Sequence, residues 1–547
     1  MNNIFYPIRL SDLWFLDENG NVNLFSDNDL LLNNYEFNEV GSFIWKLCDG
    51  KFSNHEIAKL LLEITEGDKP DFQIILDDVN NFLKDLQEDY LVNWVNEENL
   101  DVLLVVPPYP ILYSSKAIKT PEYSAPPLGL AYIGAVLKSN GYKVAIYDMH
   151  IAAANAEDIL KEYRRTKPKI VGITCTTPTF PNAVRIAKLL KAWDKNIVTV
   201  IGGVHVTSLP EESLELGCFD YVSIGEGEQS MLELADLIIK KKGNTNDIRG
   251  LAFKDNSGKN IFTLPILKPK DLDYLPYPAR ELLDIDLYYQ KGSIISTRGC
   301  PYDCTYCACP LVTGRKYRKH SVDYVLDEIR FVQEKYKINY FDFHDDTFNL
   351  IPQRVYEFSE KIIERKMNFK WGCFCRATNF SYEVAKAMKD SGCEVVQFGV
   401  ESGNQEVLDA VRKRATLEEI ENAVTVAKKA GITQIACGFI IGHSSDTEES
   451  ANETIEFGIH LAKLGATRLA ISILTPYPGT EEFIRMKENG IHLITNDWEQ
   501  FIFSRVVLET KNLNKEKLKE LYAKGVYKFL EATNSFSKQK KELLPVC

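Results

Sequence analysis

Cys300-Pro301-Tyr302-Asp303-Cys304-Thr305-Tyr306-Cys307 follows the apolar run Ser293-Ile294-Ile295-Ser296-Thr297, with Arg298-Gly299 as the turn between them. The spacing is C-x3-C-x2-C at the end of an expected strand. Three thiolates leave one corner of a four-iron cluster without a protein ligand. An iron with an open site can bind a small molecule, whereas a fourth cysteine would close the cluster for electron transfer. Zinc is the competing reading. Its cysteine pairs are usually C-x2-C, matched by a second pair or by histidines downstream, and no such pair follows here at zinc spacing.

Downstream, the cysteine loop opens an alternation of strands and helices. Strands are expected at 293–297, 340–343, 370–375, 395–400, 435–441 and 468–474, with helices at 321–335, 352–365, 382–391, 417–430 and 448–464 between them. Six β/α units with a cysteine loop after the first strand predict a partial (β/α)6 barrel over 290–485, with its chemistry at the C-terminal mouth. Residues 486–547 read as a polar helical region.

Upstream, residues 98–264 hold a second alternation. Strands are expected at 101–106, 143–147, 170–175, 197–201 and 221–224, and helices at 128–139, 156–163, 181–193 and 229–240. This predicts a doubly wound, Rossmann-like parallel sheet with ligands bound beyond the carboxyl ends of its strands. The loop residues there are small and let a ligand approach the backbone: Pro107-Pro108, Thr174 to Thr177 (Thr176 among them), Gly202-Gly203-Val204-His205 and Gly225-Glu226-Gly227-Glu228. Residues 265–289, with Leu275-Pro276-Tyr277-Pro278, read as a linker.

Residues 1–97 form a third unit. Strand-like runs at 13–16 and 22–25 flank the turn signal Glu18-Asn19-Gly20. Helices are expected at 38–47 (core stripe Val40, Phe43, Ile44, Leu47), at 54–64 (Ile57, Leu60, Leu61, Ile64; Ser53 or Asn54 as cap) and at about 71–86. Tyr90-Leu91-Val92 closes the unit as a strand.

Composition bounds the rest. Length fits three domains of the usual size, and 45% apolar with 11% aromatic residues supplies each with a core. A net charge of −13 argues against a nucleic-acid footprint, which needs clustered Lys and Arg. The opening Met1-Asn2-Asn3-Ile4-Phe5-Tyr6-Pro7 has no basic start or apolar core of a signal sequence, and no apolar run is long enough for a membrane span. Twelve cysteines, with an oxygen-labile cluster among them, point to reducing surroundings and so to the cytoplasm.

The residues from 290 to 485 resemble the radical S-adenosylmethionine (SAM) enzymes. The resemblance implies that Cys300, Cys304 and Cys307 hold a 4Fe–4S cluster whose open iron chelates SAM, and that SAM is cleaved to a deoxyadenosyl radical. Tyr306 matches the aromatic beside the adenine. Phe343-His344-Asp345-Asp346-Thr347-Phe348 stands where the family binds the SAM amino group, so Asp345 and Asp346 are expected there. Arg376 is expected at the SAM carboxylate, and Glu401 of Gly399-Val400-Glu401-Ser402 at the ribose or amino group. His443-Ser444-Ser445 replaces the usual Pro-Gly after Gly442, so the family's contacts do not carry over at that loop. Cys309, Cys373 and Cys375 read as packing thiols, since a fourth cluster ligand would fill the site SAM needs.

Pro126-Pro127-Leu128-Gly129-Leu130, Val200 to His205 and Ile224 to Glu228 resemble the cobalamin-binding domain fused ahead of many radical SAM enzymes. This implies cobalamin contacts from Pro108, Thr174, Thr176, Gly202, Gly203, His205, Gly225 and Glu226, with His205 at the nucleotide tail. Mutases carry Asp-x-His-x-x-Gly after the first strand. Here Pro107-Pro108-Tyr109-Pro110 takes its place, and Asp148-Met149-His150 lacks the later glycine, so no histidine is expected on cobalt.

Residues 38–45, Cys48-Asp49-Gly50, Glu56-Ile57-Ala58 and Val79 to Leu83 are similar to the winged-helix peptide-recognition domain of ribosomal peptide modification systems, whose relative is the peptide chaperone of pyrroloquinoline-quinone biosynthesis. Such domains hold a leader peptide as an added strand. Together the resemblances imply a cobalamin-dependent radical SAM methyltransferase that modifies a carbon of a precursor peptide, supplied with electrons by a flavodoxin or ferredoxin. Cyclisation or rearrangement with the same cofactors is the second enzyme reading. A cobalamin or redox sensor fits poorly, having no need of the carboxylate and cysteine set.

Overall fold

The computed structural model describes residues 5–9, 14–16, 22–24, 35–49, 52–65, 69–88, 92–96, 99–110 and 124–533. The Glu18-Asn19-Gly20 turn, Gly50, Tyr90-Leu91 and Cys547 lie outside the described residues.

Three layers of architecture follow the chain. The first has strands Trp14–Leu16, Val22–Leu24 and Tyr35–Glu36 in an antiparallel sheet, and Phe5–Arg9 paired antiparallel with Val92–Asn96. The strand at 5–9 was not read from the sequence. Helices Glu39–Leu47, Asn54–Ile64 and Phe72–Glu88 pack around a fully buried Trp45. Ser53 caps the second helix in a reciprocal capping box with Glu56. Val40 and Ile64, expected on core stripes, are exposed. The buried face of the first helix runs instead through Gly41, Ser42, Ile44 and Trp45, because a Cβ at Gly41 would press on the Phe82 ring at 3.2 Å.

The second layer is a seven-stranded sheet. Val102–Val106 lies between Val144–Asp148 and Ile170–Thr174, all parallel, with Val198–Gly202 and Tyr221–Ser223 continuing outward. Strand 102–106 and strand 170–174 are near-continuous apolar runs because helices cover both faces. The chain reverses direction across the first strand, which opens a crevice at the carboxyl ends there. Leu251–Lys254 and Asn260–Phe262 add an antiparallel hairpin at the edge, absent from the sequence reading.

The third layer is a six-stranded parallel sheet in chain order: Ser293–Ile294, Tyr340–Phe343, Lys370–Cys375, Cys393–Glu401, Gln434–Ile441 and Arg468–Ile473. The first strand is shorter than expected. The Asp345 carboxylate accepts from Ser296 N (2.7 Å) and Thr297 N (3.0 Å), which pulls the chain out of the sheet. Thr297–Arg298 then pairs antiparallel with Arg318–Lys319.

The stretch 265–289 is packed between the two α/β layers. Tyr288 Oη donates to Asp148 at 2.8 Å and Arg280 Nη2 to Ser293 O at 2.6 Å. The C-terminal region holds a hairpin, Ile491–Leu493 with Leu508–Thr510, a short 3-10 turn, Trp498–Gln500, and the helix Lys515–Ala532. That helix buries Leu518, Leu521 and Phe529 against the barrel, so the polar helical region expected from 486 onward carries an apolar seam. Among the described residues no helix is long and apolar enough to cross a membrane.

Candidate functional site

The cysteine loop is held from several sides. Gly299 turns into it at φ +93, where a side chain would overlap the Lys316 carbonyl. Thr305 N donates to Val411 O (3.2 Å), and Thr305 Oγ1 donates to Glu482 Oε1 (2.9 Å). Arg414 pairs with Asp303 at 2.8 Å, and Arg412 pairs with Glu481. All three thiols are free and part-exposed. Burial pushes the Cys300 thiol up, whereas a hydrogen bond from the Cys309 thiol draws Cys307 down to about 7. Among the described residues no three His, Cys, Asp or Glu side chains converge on one ion point.

Glu401 ends the fourth barrel strand at φ +72, in a register shift against the fifth strand. A non-glycine residue held there is strained, and the bulge aims its side chain into the mouth. Its Oε1 accepts from Lys413 Nζ at 2.7 Å, with both side chains nearly buried. Gly399 leaves room for this pair: a Cβ there would come within 2.5 Å of Glu401 Oε1 and 3.0 Å of Lys413 Nζ, so the ion pair would have to shift. Tyr306 lies against this pair: burial and the Glu401 carboxylate push its hydroxyl well above the usual range.

The ring of His443 packs 5.5 Å from Tyr306 and is fully buried, with no hydrogen-bond partner on Nδ1 or Nε2. An orphaned buried polar group destabilises by about 1–3 kcal/mol. A hydrogen-bonding ligand beside Tyr306 would remove that penalty. The position that broke the family's Pro-Gly pattern thus fits an adenosyl group, together with Tyr306 and Glu401.

Arg376 reaches the cysteine loop: Nη1 lies 3.7 Å from Cys304 Sγ, and the guanidinium stacks over Tyr302 at 3.6 Å. It also donates to Lys413 O, while its Nε is buried and unpaired. The expected acidic pair divides. Asp346 faces the loop, with Thr313 Oγ1 donating to its Oδ2 at 3.4 Å. Asp345 is fully buried and bound by Ser296 and Thr297, including Ser296 Oγ at 2.5 Å. Asp345, expected at the SAM amino group, has its oxygens tied to the first strand's end, and burial raises its pKa.

A cavity of about 260 Å3 joins the second and third layers. Thr174, Gly202, Gly203, Gly225 and Glu226 line it from the doubly wound sheet; Thr297, Arg298, His344 and Asp346 line it from the barrel. Gly203 has φ +110 and lies so close to Cys175 that any Cβ would overlap the carbonyl. The glycines therefore form a cradle that side chains would fill. Glu226 and Glu228 are clamped from the barrel side. Arg298 Nη2 pairs with Glu228 at 2.7 Å, Arg298 Nη1 lies 3.4 Å from Glu226, and Arg318 Nη1 donates to Glu226 at 3.0 Å.

Three residues expected at cobalamin do not line this cavity. Pro108 accepts from Asn182 through its carbonyl (2.9 Å), and Thr176 N donates to Thr179 Oγ1 (2.9 Å). His205 is caged by Phe180 and Trp498, with Nδ1 3.3 Å from Thr177 Oγ1 and Nε2 3.5 Å from Glu212. Through Trp498 its ring meets the C-terminal region. Sequence reading missed Lys413, Arg298, Arg318 and His344. His344 adjoins the family motif already noted, but the three cations are recognisable only through partners distant in sequence.

Comparison with known proteins agrees with this arrangement. Residues 294–458 match the model of the Radical SAM superfamily, 115–235 the B12 binding domain, and 24–92 coenzyme PQQ synthesis protein D. The chain is 34% identical over 437 residues to an uncharacterised methyltransferase of Pyrococcus horikoshii, covering 79% of this chain and 92% of that protein. It is 29% identical over 406 residues to the anaerobic magnesium-protoporphyrin IX monomethyl ester cyclase of Rubrivivax gelatinosus, covering 72% and 71%. The methyltransferase TsrM from Kitasatospora setae, solved with cobalamin and a [4Fe-4S] cluster bound, shares the fold at a TM-score of 0.62 with 19% identity, covering 79% of this chain and 89% of that one.

Proposed function

The chain belongs to the radical SAM enzymes that carry a B12-binding domain, and from that premise we propose that it methylates an unactivated carbon of a ribosomally synthesised peptide. When bound, its cluster, SAM and cobalamin supply radical chemistry and a methyl group, which a carbon without a nucleophilic lone pair requires.

The chain's own residues hold and orient these groups. Cys300, Cys304 and Cys307 would hold the cluster, with Arg376 and the loop ties keeping the thiols in place. Asp346, Glu401, Tyr306 and His443 would hold SAM, with Lys413 keeping the Glu401 carboxylate aimed at the mouth. Thr174, Gly202, Gly203 and Gly225 would cradle cobalamin. Glu226, fixed by Arg298 and Arg318, keeps the cradle against the barrel so that both cofactor regions face one space. The observation that carries the reading is the cavity walled by both layers. A peptide substrate is supported by the match of 24–92 to coenzyme PQQ synthesis protein D. A flavodoxin- or ferredoxin-class protein would supply the reductant.

Cyclisation is the second reading, favoured by the likeness to the R. gelatinosus cyclase. Co-expression with a precursor peptide encoded nearby, with a cobalamin supply, tests both by mass spectrometry. A gain of one or more methylene masses on the full-length peptide, and none on a leader-deleted one, supports the proposal. Loss of hydrogens without added carbon would favour cyclisation.

A further inference from the structure

A second cavity of about 360 Å3 opens at the carboxyl end of the last barrel strand, on the same side as the cysteine loop. Its lining includes the apolar Ile473, Ile494, Val506 and Tyr522 and the cationic Arg505, Lys515 and Lys519. Lys515, Lys519 and Tyr522 share one face of the helix Lys515–Ala532 by their spacing of four and three.

The charges there are unbalanced. On other faces of the same helix, Lys517 pairs with Glu448 (3.0 Å) and Glu520 (2.9 Å), Lys524 donates to Asn452 (2.6 Å), and Lys528 lies 3.7 Å from Glu531. Arg505, Lys515 and Lys519 have no carboxylate partner for their side chains among the described residues. The lining includes no carboxylate; Glu509 is hydrogen-bonded to the backbone N–H of Lys515 at 2.9 Å, and Asp497 accepts from Gln500 at 3.0 Å. Three cations thus meet around one cavity whose lining includes no carboxylate.

We propose that this cavity recognises the side-chain carboxylate of an acidic residue in the substrate peptide. The cations supply charge complementarity. Ile473, Ile494, Val506 and Tyr522 offer apolar surface to the methylene stem of that residue, which free phosphate would leave unused. The assignment to a peptide rests on the proposed function; the anion site itself does not.

Limited lysine acetylation of the full-length protein, read by mass spectrometry, tests it without turnover. Triglutamate should protect Lys515 and Lys519 and leave Lys524 unchanged, and triglutamine should protect neither. Arg505→Gln should raise the triglutamate concentration needed by about tenfold, as one lost charge-assisted contact predicts. Absence of protection by triglutamate, or equal protection by triglutamine, would overturn the proposal. So would protection by inorganic phosphate alone, which would assign a phosphate-bearing ligand instead. Because the footprint needs no precursor peptide, its failure is separable from failure of the peptide-methylation reading.

Discussion

Glu401 and Lys413 form a nearly buried ion pair at 2.7 Å, in which the carboxylate belongs to a residue held at φ +72. The strained residue keeps one geometry because the lysine fixes its far end. Removing one partner of a buried pair leaves the other charge uncompensated, at a loss of about 3–5 kcal/mol. Lys413→Met should lower the unfolding midpoint and weaken SAM binding, whereas Lys413→Arg should restore most of the midpoint. Calorimetric unfolding and SAM titration read the two effects separately.

Asp345 and Asp346 should respond differently to the same change. Asp345→Asn loses charge-assisted bonds from two backbone N–H groups, so the protein should be destabilised by about 2–4 kcal/mol. Asp346→Asn should fold as the parent does and bind SAM more weakly. Equal destabilisation by both would contradict the division of the pair.

His443→Leu removes two orphaned ring nitrogens from a fully buried site. The cofactor-free protein should become more stable by about 1–3 kcal/mol, while SAM affinity falls. A loss of stability in the cofactor-free protein would show that the ring is satisfied without a ligand.

Asp342 sits part-buried on the second barrel strand, and burial pushes its carboxyl from 3.8 to about 6. The folded state therefore holds a proton that the unfolded chain has released between those values. For this group stability is fully present below pH 3.8 and is lost as pH rises through about 6. Asp342→Asn should flatten that slope and raise stability at pH 7 by up to about 3 kcal/mol. Denaturant unfolding at a series of pH values, with parent and variant side by side, checks the sign.

Much of the fold is legible in the sequence because period and punctuation agree. The apolar runs at 102–106 and 170–174, and the strand–helix pitch from 293 onward, leave few alternatives. The cysteine loop and the Gly399-to-Ser402 strand end are local signals as well. What escaped reading depends on tertiary contact. Val40 loses its core place to Trp45, and the first barrel strand ends early because Asp345, just past the neighbouring strand, bonds to its backbone. Lys413 is a surface-like lysine in sequence and a buried partner in space. The Asp345–Asp346 pair looks equivalent until one side chain is drawn into the strand end and the other toward the cysteine loop.

The most direct measurement of the central claim uses purified, anaerobically reconstituted enzyme with cobalamin, reductant, the neighbouring precursor peptide and SAM carrying a deuterated methyl group. The account predicts peptide that gains the labelled methyl on carbon, with 5′-deoxyadenosine appearing in the same reaction. Formation of 5′-deoxyadenosine while the peptide loses hydrogens or rearranges without label would contradict it.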